Sequence, residues 1–160
     1  CAPLLDAGIT SFSERDKWTP EGNAVATQPV VDEWAKKGIP IQEWGKWKLL
    51  VYAEGHSAAL RLGPMLGCGS AIIWAVLPGH ETDAPRLWFW PRCVAPAALR
   101  DPIPDDVAMV GPCAVGDELF TVIRFLQEHD DVAERLGNAA LRLFDHLQST
   151  RVEFLRKVLS

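Results

Sequence analysis

The sequence predicts an α/β fold, a parallel sheet flanked by helices, and three observations carry that prediction. Leu49 to Ala53 and Ala71 to Val76 are short apolar runs rich in β-forming residues. The stretch between them carries Leu60, Leu62 and Leu66 and is long enough for a helical crossover, whereas antiparallel neighbours need only a tight turn. From Asp117 onward, apolar residues recur at helical spacing.

Taken in order, residues 1–43 are the least patterned and read as a linker or loop region. Asp6 to Gly22 mixes Gly, Ser, Thr and Pro with charges and keeps no period, and the charges at Ser13-Glu14-Arg15-Asp16 read as a solvated loop. Val30 to Lys37 fits a short helix ended by Gly38. The domain proper is assigned to residues 44–160. Its first strand is broken by Glu54-Gly55, and Ser57 is placed to cap the following helix, whose free N–H groups would face the loop at Glu54 to Ser57 and favour phosphate. Arg61 falls one turn inside that helix. It offers an always charged fork to a diphosphate, or it simply solvates the helix, and spacing leaves both open. Pro64 removes a backbone donor and is expected to kink or shorten the helix. Gly67-Cys68-Gly69-Ser70 then turns the chain into the second strand.

In the C-terminal third, Leu119, Val122, Ile123 and Leu126 share one face of a helix that Asp117 is placed to cap. A second helix is expected from Asp131, with Glu134 completing a capping-box pattern, through Leu136, Ala140, Leu143 and Leu147. Arg151 to Leu159 carries a weaker stripe and reads as a final helix.

Composition bounds the function. The chain has 160 residues, 48% of them hydrophobic, which suffices for one ordinary domain with a real core and not for two. A net charge of −5 and sixteen scattered basic residues argue against a nucleic-acid partner. The longest apolar run, around Ala71 to Leu77, is far short of the roughly 20 residues that span a bilayer, so no membrane span is expected. Cys1, Cys68, Cys93 and Cys113 lack any short paired spacing, which disfavours zinc; for Cys68 a disulfide and a packed free thiol both stay open. His80-Glu81 lacks the second histidine of a helical metal site, Gly67 and Gly69 lack the third glycine of a dinucleotide fingerprint, and no nucleophile elbow surrounds Ser70.

One run is more specific. Glu54-Gly55-His56-Ser57-Ala58-Ala59-Leu60-Arg61-Leu62, with Lys46-Trp47-Lys48 before it and Met65-Leu66-Gly67-Cys68-Gly69-Ser70 behind it, resembles the signature of glycosyltransferase family 90. That family includes the Rumi-type protein O-glucosyltransferases and the fungal capsule-associated-protein-like xylosyltransferases. Gln127 to Leu136 looks like the family's late helix pair, split by an Asp-Asp turn, and the resemblance covers residues 44 to 160. It departs from the family after the second strand. Leu87-Trp88-Phe89-Trp90-Pro91 retains the aromatics, but Asp106 to Gly111 stands where a Trp-x-His-Tyr-x-Pro-like strand is usual.

The resemblance implies a Rossmann-like domain, the C-terminal, donor-binding half of a two-domain glycosyltransferase of the kind called GT-B. It implies a UDP-sugar donor such as UDP-glucose or UDP-xylose, no further cofactor, and transfer with inversion to a hydroxyl of a protein or polysaccharide, in the lumen of the endoplasmic reticulum or Golgi. Substrate-binding residues would be Glu54, Gly55, His56, Ser57, Ala58, Ala59 and Arg61, with Glu54 on a ribose hydroxyl or on backbone groups, His56 either a contact or an exposed loop residue, and Arg61 with Gly55 to Ala59 on the diphosphate. The base would belong to the N-terminal half, so the chain is expected to be an incomplete enzyme, inactive alone. The alternative is a non-catalytic domain of the same fold that binds or supports.

Overall fold

The computed structural model describes residues 39–53, 61–79 and 91–159, the last six of these by backbone alone. The chain divides into two compact units, Cys1–Pro40 and Ile41–Ser160, and the description that follows is of the second. The expected helix at Val30 to Lys37 lies outside the described residues, as does all of the aromatic run from Leu87 to Trp90.

A short 3-10 helix, Ile41–Lys46, leads into β1, Leu49–Ala53. After it come α1, Leu62–Leu66, and β2, Ala71–Val76. Then follow β3, Arg92–Val94, and β4, Val107–Ala114. Two helices close the unit, α2 at Asp117–Glu128 and α3 at Asp130–Leu159. The four strands form one sheet in the order β1-β2-β4-β3, parallel throughout. The expected parallel pair is present, in register from Leu49 opposite Ala71 to Ala53 opposite Ala75. β2 is buried along nearly its whole length, as an unbroken apolar run in a covered parallel sheet should be.

β4 is central despite containing a proline, which has no N–H to give to a ladder. The sheet accommodates Pro112 with one extra residue on β4: Ile73 pairs with Val110 and Ala75 with Cys113. Gly111 is required at this bulge. Its φ is +144°, and a Cβ there would stand 2.8 Å from the Trp74 carbonyl oxygen.

The core lies on the face covered by α1 and α3. Tyr52, Leu62, Met65, Leu66, Ile72, Trp74, Met109, Ala139 and Ala140 form one buried cluster, with Phe144 and Leu147 packed at its margin. Helix α2 buries Leu119, Val122, Ile123 and Leu126, the predicted stripe.

Several helix ends differ from expectation. The residue preceding α2 is Gly116 rather than Asp117, and the Glu118 carboxylate turns back to accept the Ala114 N–H at 2.6 Å. Helix α3 begins at Asp130, whose carboxylate pairs with Lys48 while the same ammonium donates to the Gln127 carbonyl at 3.0 Å. Nor is Arg151 to Leu159 a separate helix. No Gly or Pro follows Gly137 before Leu159, nothing breaks the ladder, and α3 runs for 30 residues. At α1, Pro64 falls inside the first turn, where its N–H would have had no intrahelical partner, and the helix is short at five residues.

Candidate functional site

In open parallel sheets, ligands bind outside the carboxyl ends of the strands. At β1 that end is Ala53, and the chain is next described at Arg61. Glu54, Gly55, His56, Ser57, Ala58 and Ala59 lie outside the described residues, so of the predicted donor contacts the structure gives the surroundings of Arg61 alone.

Arg61 is not one turn inside a helix. It immediately precedes α1, and its neighbour Leu62 is fully buried in the core cluster. Its exposed guanidinium donates from Nη2 to the Ala53 carbonyl, the last residue of β1. The guanidinium carbon also sits 5.9 Å from the centre of the Tyr52 ring, within cation–π range. A guanidinium carries five N–H donors, so the bond to Ala53 leaves donors for an anion. With barely more than one turn of aligned peptides, α1 adds little dipole of its own, and among the described residues the charge at this strand end is that of the arginine.

Tyr52 is the residue that sequence reasoning passed over. It is the single tyrosine of the chain, set in an otherwise aliphatic strand next to the carboxyl end, and its side chain is fully buried. A lone aromatic with a polar tip at that register was the available signal.

Ser70 and the described cysteines, also singled out by sequence, are engaged within the fold. Ser70 is buried and donates its hydroxyl to the Trp47 carbonyl at 2.5 Å, joining the entries of β1 and β2. Cys68 and Cys113 are free thiols. The Cys68 thiol donates to the Pro64 carbonyl, and burial pushes its pKa up. Burial, with the nearby Glu118 carboxylate and Cys93 adding to it, pushes the Cys113 thiol up to about 12. Among the described residues, no group of three or more His, Cys, Asp and Glu gathers to hold a metal, and no helix is long and apolar enough to cross a membrane.

Among the described residues, the hollows that do not include Arg61 in their lining differ in character. An apolar groove of about 960 Å³ runs between the Ile41–Lys46 turn, α1 and the C-terminal half of α3, lined among others by Ile41, Gly63, Pro64, Phe144 and Leu147. A polar one of about 560 Å³ is lined by Arg100, His129 and Arg135, with Asp101 and Asp131 offsetting the arginines.

No family model matches the chain, and no solved structure matches it. Among curated proteins it is similar to uncharacterized protein 179R of Invertebrate iridescent virus 6, 24% identical over 146 residues. The similarity takes in 89% of this chain and 11% of the viral protein, so the chain spans about a tenth of the length of that relative.

Proposed function

We propose that the unit from Ile41 to Ser160 is the donor-binding half of a UDP-sugar-dependent glycosyltransferase of the GT-B kind, acting in the secretory pathway. The observation that carries this reading is Arg61. Within a run that resembles the family 90 signature, it is the residue assigned to the diphosphate, and its guanidinium is held at the carboxyl end of a parallel strand. In such a transfer, negative charge grows on the departing diphosphate as the bond to the sugar breaks. A fixed cation there stabilises the transition state more than the ground state. A carboxylate base would activate the acceptor hydroxyl of a protein or polysaccharide and would come from the opposite half. UDP-glucose and UDP-xylose are the donors to test, and no resident cofactor enters the reading.

A second reading, a non-catalytic domain of the same fold, draws support from β4. Val107, Ala108, Met109 and Val110 are all buried apolar residues where the resembled family carries a polar His-Tyr pair. Calorimetric titration of UDP-glucose and UDP-xylose into the purified chain separates the two. Saturable binding that is lost in Arg61→Ala supports the donor half; a folded wild type that binds neither donor favours the non-catalytic domain.

A further inference from the structure

We infer that Tyr52 is the positioning residue for Arg61, an inference that rests on the donor reading of this strand end and extends it to the residue that fixes the arginine. One backbone anchor and two contacts locate the guanidinium. The Arg61 backbone is anchored by Leu62, which is fully buried in the same cluster that holds the Tyr52 ring. The Ala53 carbonyl accepts from one nitrogen, and the Tyr52 ring lies under the guanidinium carbon at 5.9 Å. The ring is part of the core and cannot swing away, so it presents a fixed face to an exposed cation. Arginine stacks on aromatic faces while its planar fork stays free for an anion.

The consequence is preorganisation. A surface arginine samples many rotamers and gives up that freedom when it grips a ligand, whereas one already parked on a ring and a carbonyl gives up less. Tyr52 therefore contributes to anion affinity without touching the anion, and its contribution exists only while Arg61 is present.

The test is a cycle on the full chain, with UDP as the titrant in calorimetry and thermal melting as the fold control. Tyr52→Phe keeps the ring face and should bind UDP as the wild type does. Tyr52→Leu and Tyr52→Met keep an apolar core residue but remove the ring, and should weaken UDP binding by about two- to fivefold. In an Arg61→Lys background, which removes the planar fork but keeps the charge, the same Tyr52 changes should have a markedly smaller effect. If Tyr52→Leu and Tyr52→Met bind as Tyr52→Phe does, the positioning role is overturned while the donor reading stands. Equal weakening in the Arg61→Lys background overturns it as well, since the effect would then be structural. A folded wild type that shows no UDP binding removes the donor reading and the positioning role together.

Discussion

Arg61 and Cys113 show how strongly burial divides the roles of chemically potent side chains in this fold. Arg61 is exposed and is fixed by a carbonyl and a ring. On the proposed donor reading, replacing it with alanine is expected to lower UDP affinity at least about tenfold, since hydrogen bonds to a charged partner contribute about 1.5–3 kcal/mol, with little change in melting temperature. Calorimetry beside a thermal melt checks both halves of that statement. Cys113 is the opposite case, fully buried in β4 with its pKa raised to about 12. The sign of its linkage follows from the direction of the shift: the folded state favours the protonated thiol, so its contribution to stability is intact below the ordinary thiol pKa near 9 and is lost as pH rises from there toward 12. At pH 8 an alkylating reagent should therefore leave Cys113 unmodified in the folded chain and modify it in denaturant, as mass spectrometry of the labelled peptides would show; rapid native-state labelling of Cys113 would contradict its burial. Arg61 was singled out by its place in the Glu54–Arg61 run, whereas its anchoring was not legible there. A cation–π contact and a bond to the preceding strand's last carbonyl are tertiary facts that no spacing encodes.

At the level of elements, β1 and β2 were legible to the residue because each is a bounded apolar run and their separation demands a crossover. β4 was hidden by Gly111-Pro112, which reads as a break in any strand pattern. The break is real as a bulge, but the pairs to β2 on both sides of it, at Val110 and at Cys113, hold the strand together across it. Helix α3 was legible in its packed half and misread at its end, where a thinning apolar stripe suggested a new helix although nothing in the sequence stops the old one. What fixes α3 over the sheet is a close approach at Gly137, where a Cβ would stand 2.2 Å from the Gly69 carbonyl oxygen. Gly137→Ala gains helix propensity of up to about 1 kcal/mol, yet it must push backbone against backbone, and overpacking of that kind costs about 1–3 kcal/mol or more. The expected outcome is a lower denaturation midpoint in urea; an unchanged or raised midpoint would mean that α3 does not sit on the Gly69 turn. The joint between α2 and α3 has its own pH signature. The bond from Lys48 holds the Asp130 carboxyl below its ordinary range, so the pairing supports the fold above the usual carboxylate pKa and is lost as pH falls through the depressed value. Asp130→Asn should therefore lower the melting temperature slightly near neutrality and converge with the wild type once pH falls below the depressed value, with the small effect that befits an exposed pair; melts from acid to neutral pH check both ends.

For the molecule as a whole, the sheet supplies a place for a ligand and the proposed chemistry asks for two partners across it. Transfer of a sugar needs a base on the acceptor side and a cation on the leaving-group side, held at once around a dry centre. Within the described residues of the Ile41–Ser160 unit, the cation is Arg61, while the carboxylate nearest the end of β4, Glu118, is engaged with the Ala114 N–H. The fold-level expectation of a parallel sheet flanked by helices followed directly from apolar patterning, because burial on both faces leaves a continuous hydrophobic signal. The proposed division of labour between two halves would leave no such signal, since it is a property of groups that meet only across a cleft. On the proposed reading the chain should therefore bind UDP-glucose or UDP-xylose and release no UDP above the uncatalysed rate when hydroxyl acceptors are supplied. A coupled assay for UDP release, run with and without Arg61→Ala, measures this directly. Turnover well above background that disappears in Arg61→Ala would show that the base lies within this chain, and the two-half division would have to be abandoned while the donor site was kept. Binding without turnover is the outcome that the geometry at Ala53, Tyr52 and Arg61 leads us to expect, because a held cation can grip a diphosphate but cannot take the acceptor's proton.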